Sequence, residues 1–122
     1  MRSNFAENAE NGGNMRLYGI KNCDTCRRAL RELRAAGREV DVVDVRAGGL
    51  PDERIAAFLA AFGERLVNRS SATWRGLPEG ERSAAPAALI AAHPGLMKRP
   101  VVEDGERLWL GWRDEVRDEI IG

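Results

Sequence analysis

The stretch Tyr18-Gly19-Ile20-Lys21-Asn22-Cys23-Asp24-Thr25-Cys26-Arg27-Arg28 constrains this chain most, because it carries an apolar run through a short polar turn into a helical pattern. Leu17, Tyr18 and Ile20 suit a buried strand, and Gly19 leaves room for another group to approach the backbone closely. Cys26, Ala29, Leu30, Leu33 and Ala36 then recur at helical spacing, and Gly37 supplies a left-handed stop. Val40, Val42, Val43 and Val45 make the next strand. Strand, helix and strand within about 30 residues form a parallel, right-handed βαβ unit.

The chain has two cysteines in all, and both sit at this strand-to-helix junction. A helix that begins near Cys23 or Asp24 points free backbone N–H groups and its positive end at the Cys23 sulfur, which favours the thiolate. Cys23 is therefore the candidate nucleophile. Cys26 lies one turn further on the same face, at a separation of about 5–6 Å that a disulfide tolerates. Two other readings compete with a redox pair. A structural zinc site needs four Cys or His ligands, and the rest of the chain offers only His93. Alternatively both cysteines are small core residues. A CxxC beside a βαβ pattern reads first as a redox motif.

A thiolate site calls for a cation, and Lys21, Arg27, Arg28, Arg69, Arg75 and Arg99 are the candidates. Arg99 stands out because Pro100 follows it at the entry to a hairpin, where a rigid turn fixes its direction. The Arg27, Arg28, Arg31 and Arg34 series reads as a solvated face, and His93 before Pro94 as a partner for a helix C-terminus. Elsewhere Pro51, Asp52 and Glu53 announce a second helix with Ile55, Phe58, Leu59 and Phe62 as its stripe and Gly63 as its end. Residues 68–80 read as irregular, anchored by Trp74 and Leu77, and an Ala-rich helix follows with Pro86 in its first turn. Val101-Val102 and Leu108-Trp109-Leu110 flank Asp104-Gly105 as a hairpin, and 113–121 forms the last helix.

At 122 residues the chain holds one domain, expected over 15–122, behind a polar disordered tail over 1–14. With 19 basic and 19 acidic residues the net charge is zero, so neither nucleic acid nor a membrane surface is an expected partner. No bilayer-length apolar run or secretory signal appears, and a cytoplasmic monomer is expected.

Three stretches, residues 17–25, Ala72-Thr73-Trp74-Arg75 and His93 to Val101, resemble the arsenate reductase (ArsC)/Spx family. The resemblance spans 15–121 and implies an α/β thioredoxin-like fold, a mixed sheet of βαβ plus ββα halves with a helical insertion at about 51–97. Within the family the YGIKNCDT form is most similar to the YffB-type branch of glutathione-dependent thiol reductases. What this implies is Cys23 as nucleophile, Arg99 as the thiolate- or anion-stabilising arginine and Pro100 as a cis proline beside the site; Cys26 departs from the YffB-type proteins, which need not carry a second cysteine there, and its role as redox partner rests on the spacing. Substrate contacts are implied at Asn22, Asp24, Thr25, Arg69 and Pro100, with glutathione or a small thiol as co-substrate, glutaredoxin or thioredoxin as recycling partner, and no bound cofactor or metal. Arsenate reduction is the alternative enzyme. The arsenate reductases use three arginines, of which only Arg99 carries over cleanly here; Arg69 is offset, and Trp112 with Arg113 beside it stands at the third position. The CxxC itself is similar to Spx, a redox-switched regulator that grips RNA polymerase, whereas YGIKN and ATWR favour the reductases.

Overall fold

A computed structural model describes residues 15–122; the tail expected over residues 1–14 lies outside the described residues. The chain divides into two compact units, one built from residues 15–44 and 99–122 and the other from Val45–Lys98. The helical insertion is expected at about 51–97, and the second unit begins earlier, at Val45.

The first unit carries β1 (Met15–Gly19), α1 (Asp24–Ala35) and β2 (Val40–Asp44), then β3 (Val101–Asp104), β4 (Arg107–Leu110) and a C-terminal helix. The strand order is β2-β1-β3-β4, with β1 parallel to β2 and antiparallel to β3, and β3 antiparallel to β4. This is the βαβ-plus-ββα mixed sheet of the thioredoxin-like fold. Alternation sends Met15 and Leu17 of β1, Val40 of β2, Val102 of β3 and Trp109 of β4 to one face, where they pack with Cys26, Ala29 and Leu33 of α1. The α1 end follows from Gly37, whose φ of 87° lets its own N–H reach the Arg34 carbonyl and that of Arg38 reach Leu33.

The opposite face of β1 and β3 carries a buried polar group that sequence reading passed over. Arg16 Nη1 and the Tyr18 hydroxyl each donate to Glu103 Oε1 at 2.8 Å, and both Tyr18 and Glu103 are buried. Burial is the main cause that pushes the Tyr18 phenol up to about 12. The hairpin closes on the Asp104–Arg107 pair, so its two-residue loop is Gly105-Glu106. The turn thus sits one residue later than Asp104-Gly105 suggested, with Gly105 at a φ of 64° taking the first loop position.

The second unit holds α2 (Val45–Gly48), α3 (Asp52–Phe62), α4 (Ala72–Arg75), α5 (Glu79–Arg82) and α6 (Pro86–Ala92). Residues 68–80 are more ordered than their polarity implied, because the Ser71 hydroxyl caps α4 by accepting from Trp74 N–H at 3.1 Å. Trp74 and Leu77 do anchor this stretch, against Leu89 and Leu96. His93 ends α6 and places its Nε2 3.0 Å from Glu81. The C-terminal helix of the first unit is α7 (Asp114–Ile121). Among the described residues no helix is long and apolar enough to cross a membrane.

Candidate active site

The β1–α1 connection tightens through a turn in which Cys23 N–H donates to the Ile20 carbonyl, leaving Cys23 extended (φ −94°, ψ 117°) as the N-cap of α1. In that position its sulfur replaces the usual hydroxyl or carboxylate cap, and accepts from the Cys26 N–H at 3.4 Å. A helix N-cap that accepts a hydrogen bond is stabilised by negative charge, so the geometry selects thiolate over thiol. Burial alone pushes the Cys23 thiol up; the Cys26 backbone N–H, the Cys26 thiol and the Arg99 guanidinium, in that order, outweigh it and bring it below the ordinary thiol range.

Cys26 has the opposite environment. It is 5% exposed, packed into the sheet-helix core, and neither cysteine is in a disulfide. Burial holds its thiol well above the ordinary range and the neighbouring Cys23 sulfur adds to this, so Cys26 keeps its proton and donates it toward Cys23. The space it occupies exists because residue 19 has no side chain. A Cβ at Gly19 would stand 2.5 Å from the Cys26 sulfur.

Arg99 arrives from the other end of the unit, at the start of the segment that becomes β3. The Arg99–Pro100 bond is cis, as the family resemblance implies, and Pro100 is buried with its carbonyl accepting from Gly111 N–H at 2.8 Å. Asn22, Asp24 and Thr25 are exposed around Cys23. Asp24, on the first turn of α1, is paired with Arg27.

The remaining expectations divide. Arg69 belongs to the second unit, where it pairs with Glu64 at 2.9 Å and lies over the Trp74 ring at 5.1 Å. Trp112 is buried and donates its indole N–H to Glu32 Oε1 at 2.9 Å, so the third family position holds a core residue, and Arg113 is exposed at the α7 N-cap. The α1 arginines are not merely solvated: Arg28 donates to the Trp112 carbonyl and Arg34 to the Val40 carbonyl. Glu32 joins these elements, because Arg117 of α7 reaches the same oxygen as Trp112. The Trp112 hydrogen bond and then Arg117 hold the Glu32 carboxyl below the usual range. Glu32 interleaved among the α1 arginines was the signal the sequence offered for this tie.

Residues 18–120 match the ArsC family. An uncharacterized protein of Haemophilus influenzae is 37% identical over 98 residues, which cover 75% of this chain and 86% of that one. The solved structure of a YffB protein superposes with a TM-score of 0.83 at 30% identity, covering 89% of this chain and 100% of that chain. An arsenate reductase (ArsC) related protein from Brucella melitensis gives a TM-score of 0.68 at 34% identity, over 87% of this chain and 92% of that one. With a match over nearly the whole described chain and an N-capping cysteine sulfur at its centre, this protein belongs to the ArsC family of arsenate reductase-like thiol oxidoreductases.

Proposed function

We propose that the protein is a glutathione-dependent thiol-disulfide reductase in which Cys23 attacks and Cys26 resolves. The observation that carries this is the unequal pair at the head of α1: one sulfur that accepts the Cys26 N–H and is shifted toward the thiolate by it and by Arg99, the other buried with its thiol pushed up. The Cys23 thiolate attacks one sulfur of a disulfide RSSR′, forming Cys23–S–SR and releasing R′S⁻, which takes a proton from water. Cys26 then attacks the Cys23 sulfur, its proton leaves with RSH, and a Cys23–Cys26 disulfide remains. Two glutathione molecules reduce this disulfide and depart as oxidised glutathione, so the cycle consumes two thiols for each disulfide cleaved. Glutaredoxin or thioredoxin is the alternative electron donor.

Arsenate is a weaker substrate in this reading. A doubly charged oxyanion in a partly dry site needs paired cations. Arg99 is one; Trp112 supplies none, and Arg69 is already paired with Glu64.

The test is intact-mass spectrometry beside a turnover panel. Wild type treated with oxidised glutathione is expected to lose two hydrogens, and Cys26→Ser to retain one glutathione on Cys23. A wild type that keeps a stable glutathione adduct assigns Cys26 to the core and leaves Cys23 working alone. Turnover of small disulfides, and not of arsenate, with glutathione as reductant is the expected panel result; faster arsenate turnover reverses the substrate assignment.

A further inference from the structure

The nucleophile and its arginine reach the site on separate segments of the first unit. Cys23 is the N-cap of α1, whereas Arg99 and Pro100 precede β3, which begins at Val101 in register with Tyr18 of β1 and Leu110 of β4. Beyond that rung the Gly111 N–H donates to the Pro100 carbonyl at 2.8 Å. Trp112, next in the chain, is 2% exposed and belongs to the core cluster that holds Cys26, with Cys23 packed against it. Its carbonyl and its indole both turn to α1. The carbonyl accepts from Arg28 Nη2 at 3.1 Å, and the indole N–H donates to Glu32 Oε1 at 2.9 Å. Arg28 and Glu32 are four positions apart, so they stand on one face of the helix. A continuous path therefore runs from Cys23 along α1, across Glu32 and Arg28 to Trp112, and through Gly111 to the Pro100 carbonyl beside Arg99.

We propose that Glu32 is a positioning residue: by holding Trp112 on α1, it fixes where the Arg99-Pro100 step stands relative to the Cys23 sulfur. The proposal rests on the reading above in taking Cys23 as the nucleophile. Glu32 acts by its place and not by its charge. It lies nine positions after Cys23. At 1.5 Å per helical residue that is about 13 Å, beyond the screening length of roughly 8 Å at physiological salt. Whatever field survives has the opposite sign, since a carboxylate disfavours a thiolate and its removal would speed the nucleophile. The hydrogen bond is the part that matters. A buried indole N–H without an acceptor is costly, so loss of Glu32 shifts the Gly111-Trp112 segment toward another partner, and the Pro100 carbonyl bonded to Gly111 moves with it.

The rate of Cys23 alkylation by iodoacetamide, mapped by mass across a range of pH, tests this directly. Glu32→Ala is expected to slow labelling at neutral pH about twofold and to move the pH profile upward, because Arg99 no longer stands as close to the sulfur. Trp112→Phe removes the same hydrogen bond from the other side and gives the same slowing. Glu32→Gln keeps an oxygen acceptor for the indole and restores the wild-type rate. Arg117→Ala strips the other donor from the same Glu32 oxygen, leaves Trp112 in place and does not change the rate. In an Arg99→Ala background Glu32→Ala has no further effect, since the charge to be positioned is gone. The proposal is overturned if Glu32→Ala labels as fast as wild type or faster, if Glu32→Gln is as slow as Glu32→Ala, or if Glu32→Ala slows labelling equally with and without Arg99. Alkylation is read without turnover, so a chain that shows this pattern but reduces no disulfide loses the reductase reading and keeps this one.

Discussion

Replacing Gly19 with alanine isolates the contact that makes room for the second cysteine. A Cβ there would lie 2.5 Å from Cys26 Sγ and 3.2 Å from Cys26 Cβ. Relaxed carbon contacts need roughly 3.5–4.0 Å, so the sulfur must move by on the order of an ångström. It has little room to do so, since Cys26 is packed with Leu17, Ala29 and Leu33. Forcing a group into a filled core costs about 1–3 kcal/mol. Against this, Gly19 is not among the glycines with positive φ, so alanine fits its backbone and recovers about 0.5–1 kcal/mol of chain entropy. The net expectation is a loss of about 1–2 kcal/mol. Displacing Cys26 also weakens its thiol and N–H contacts to Cys23, so Cys23 alkylation at neutral pH slows in parallel. Denaturant midpoints for wild type, Gly19→Ala, Cys26→Ala and the double variant form the cycle that measures this. In the Cys26→Ala background the sulfur is gone and only the 3.2 Å approach to Cβ remains, so Gly19→Ala becomes neutral or stabilising. Equal losses in the two backgrounds refute the argument, since the glycine is then required for something other than Cys26.

Limiting iodoacetamide at neutral pH, with mass mapping, is expected to label Cys23 first, with an apparent pKa below the ordinary thiol range. Arg99→Ala raises that pKa and slows labelling severalfold, exposed Arg31→Ala changes nothing, and preferential labelling of Cys26 sinks the assignment. Tyr18 is the single tyrosine, so near-ultraviolet absorbance reads its phenol alone. Its folded pKa is raised to about 12, so it contributes stability that is fully present below the unfolded value near 10 and is lost as pH rises toward 12. A phenolate that forms near 10 with the fold intact contradicts this. Glu103→Ala removes the buried acceptor that Arg16 and the Tyr18 hydroxyl share and is expected to cost about 3 kcal/mol by guanidinium midpoint. Arg117→Ala, half-exposed, costs under about 1 kcal/mol, and similar losses for the two refute the contrast.

The elements were legible where a local rule decides them. The α1 boundaries follow from a cap residue and Gly37, and β3 and β4 from two apolar runs around a glycine. Pro100 could be placed as cis only through the resemblance, because nothing in an Arg-Pro dipeptide selects that isomer. The polar residues that look solvated from sequence were the least legible. Arg28, Arg34, Glu32 and Glu103 all stand in patterns that suit a water-facing side, yet each has a partner distant in sequence or on the next element. Sequence periodicity reports which side of an element is apolar; it holds no information on whether a long charged side chain folds back to a carbonyl or an indole.

The two cysteines show the same limit at the site itself. Their spacing places them on one helical face and says nothing of how far each lies from water. That difference arises from position in the first turn: the N-cap sulfur is only partly buried and receives a helix N–H, whereas the residue three further on has already turned under β1. The N–H that shifts Cys23 toward the thiolate belongs to Cys26, so the residue that stabilises the nucleophile is the one whose own thiol is pushed up. Gly19 supplies the space, the α1 N-terminus supplies the donor and Arg99 supplies the charge. Of these three, sequence reading located the donor and the charge from local rules and read Gly19 as room for a close approach, but could not name what approaches, because that is a side chain seven positions away.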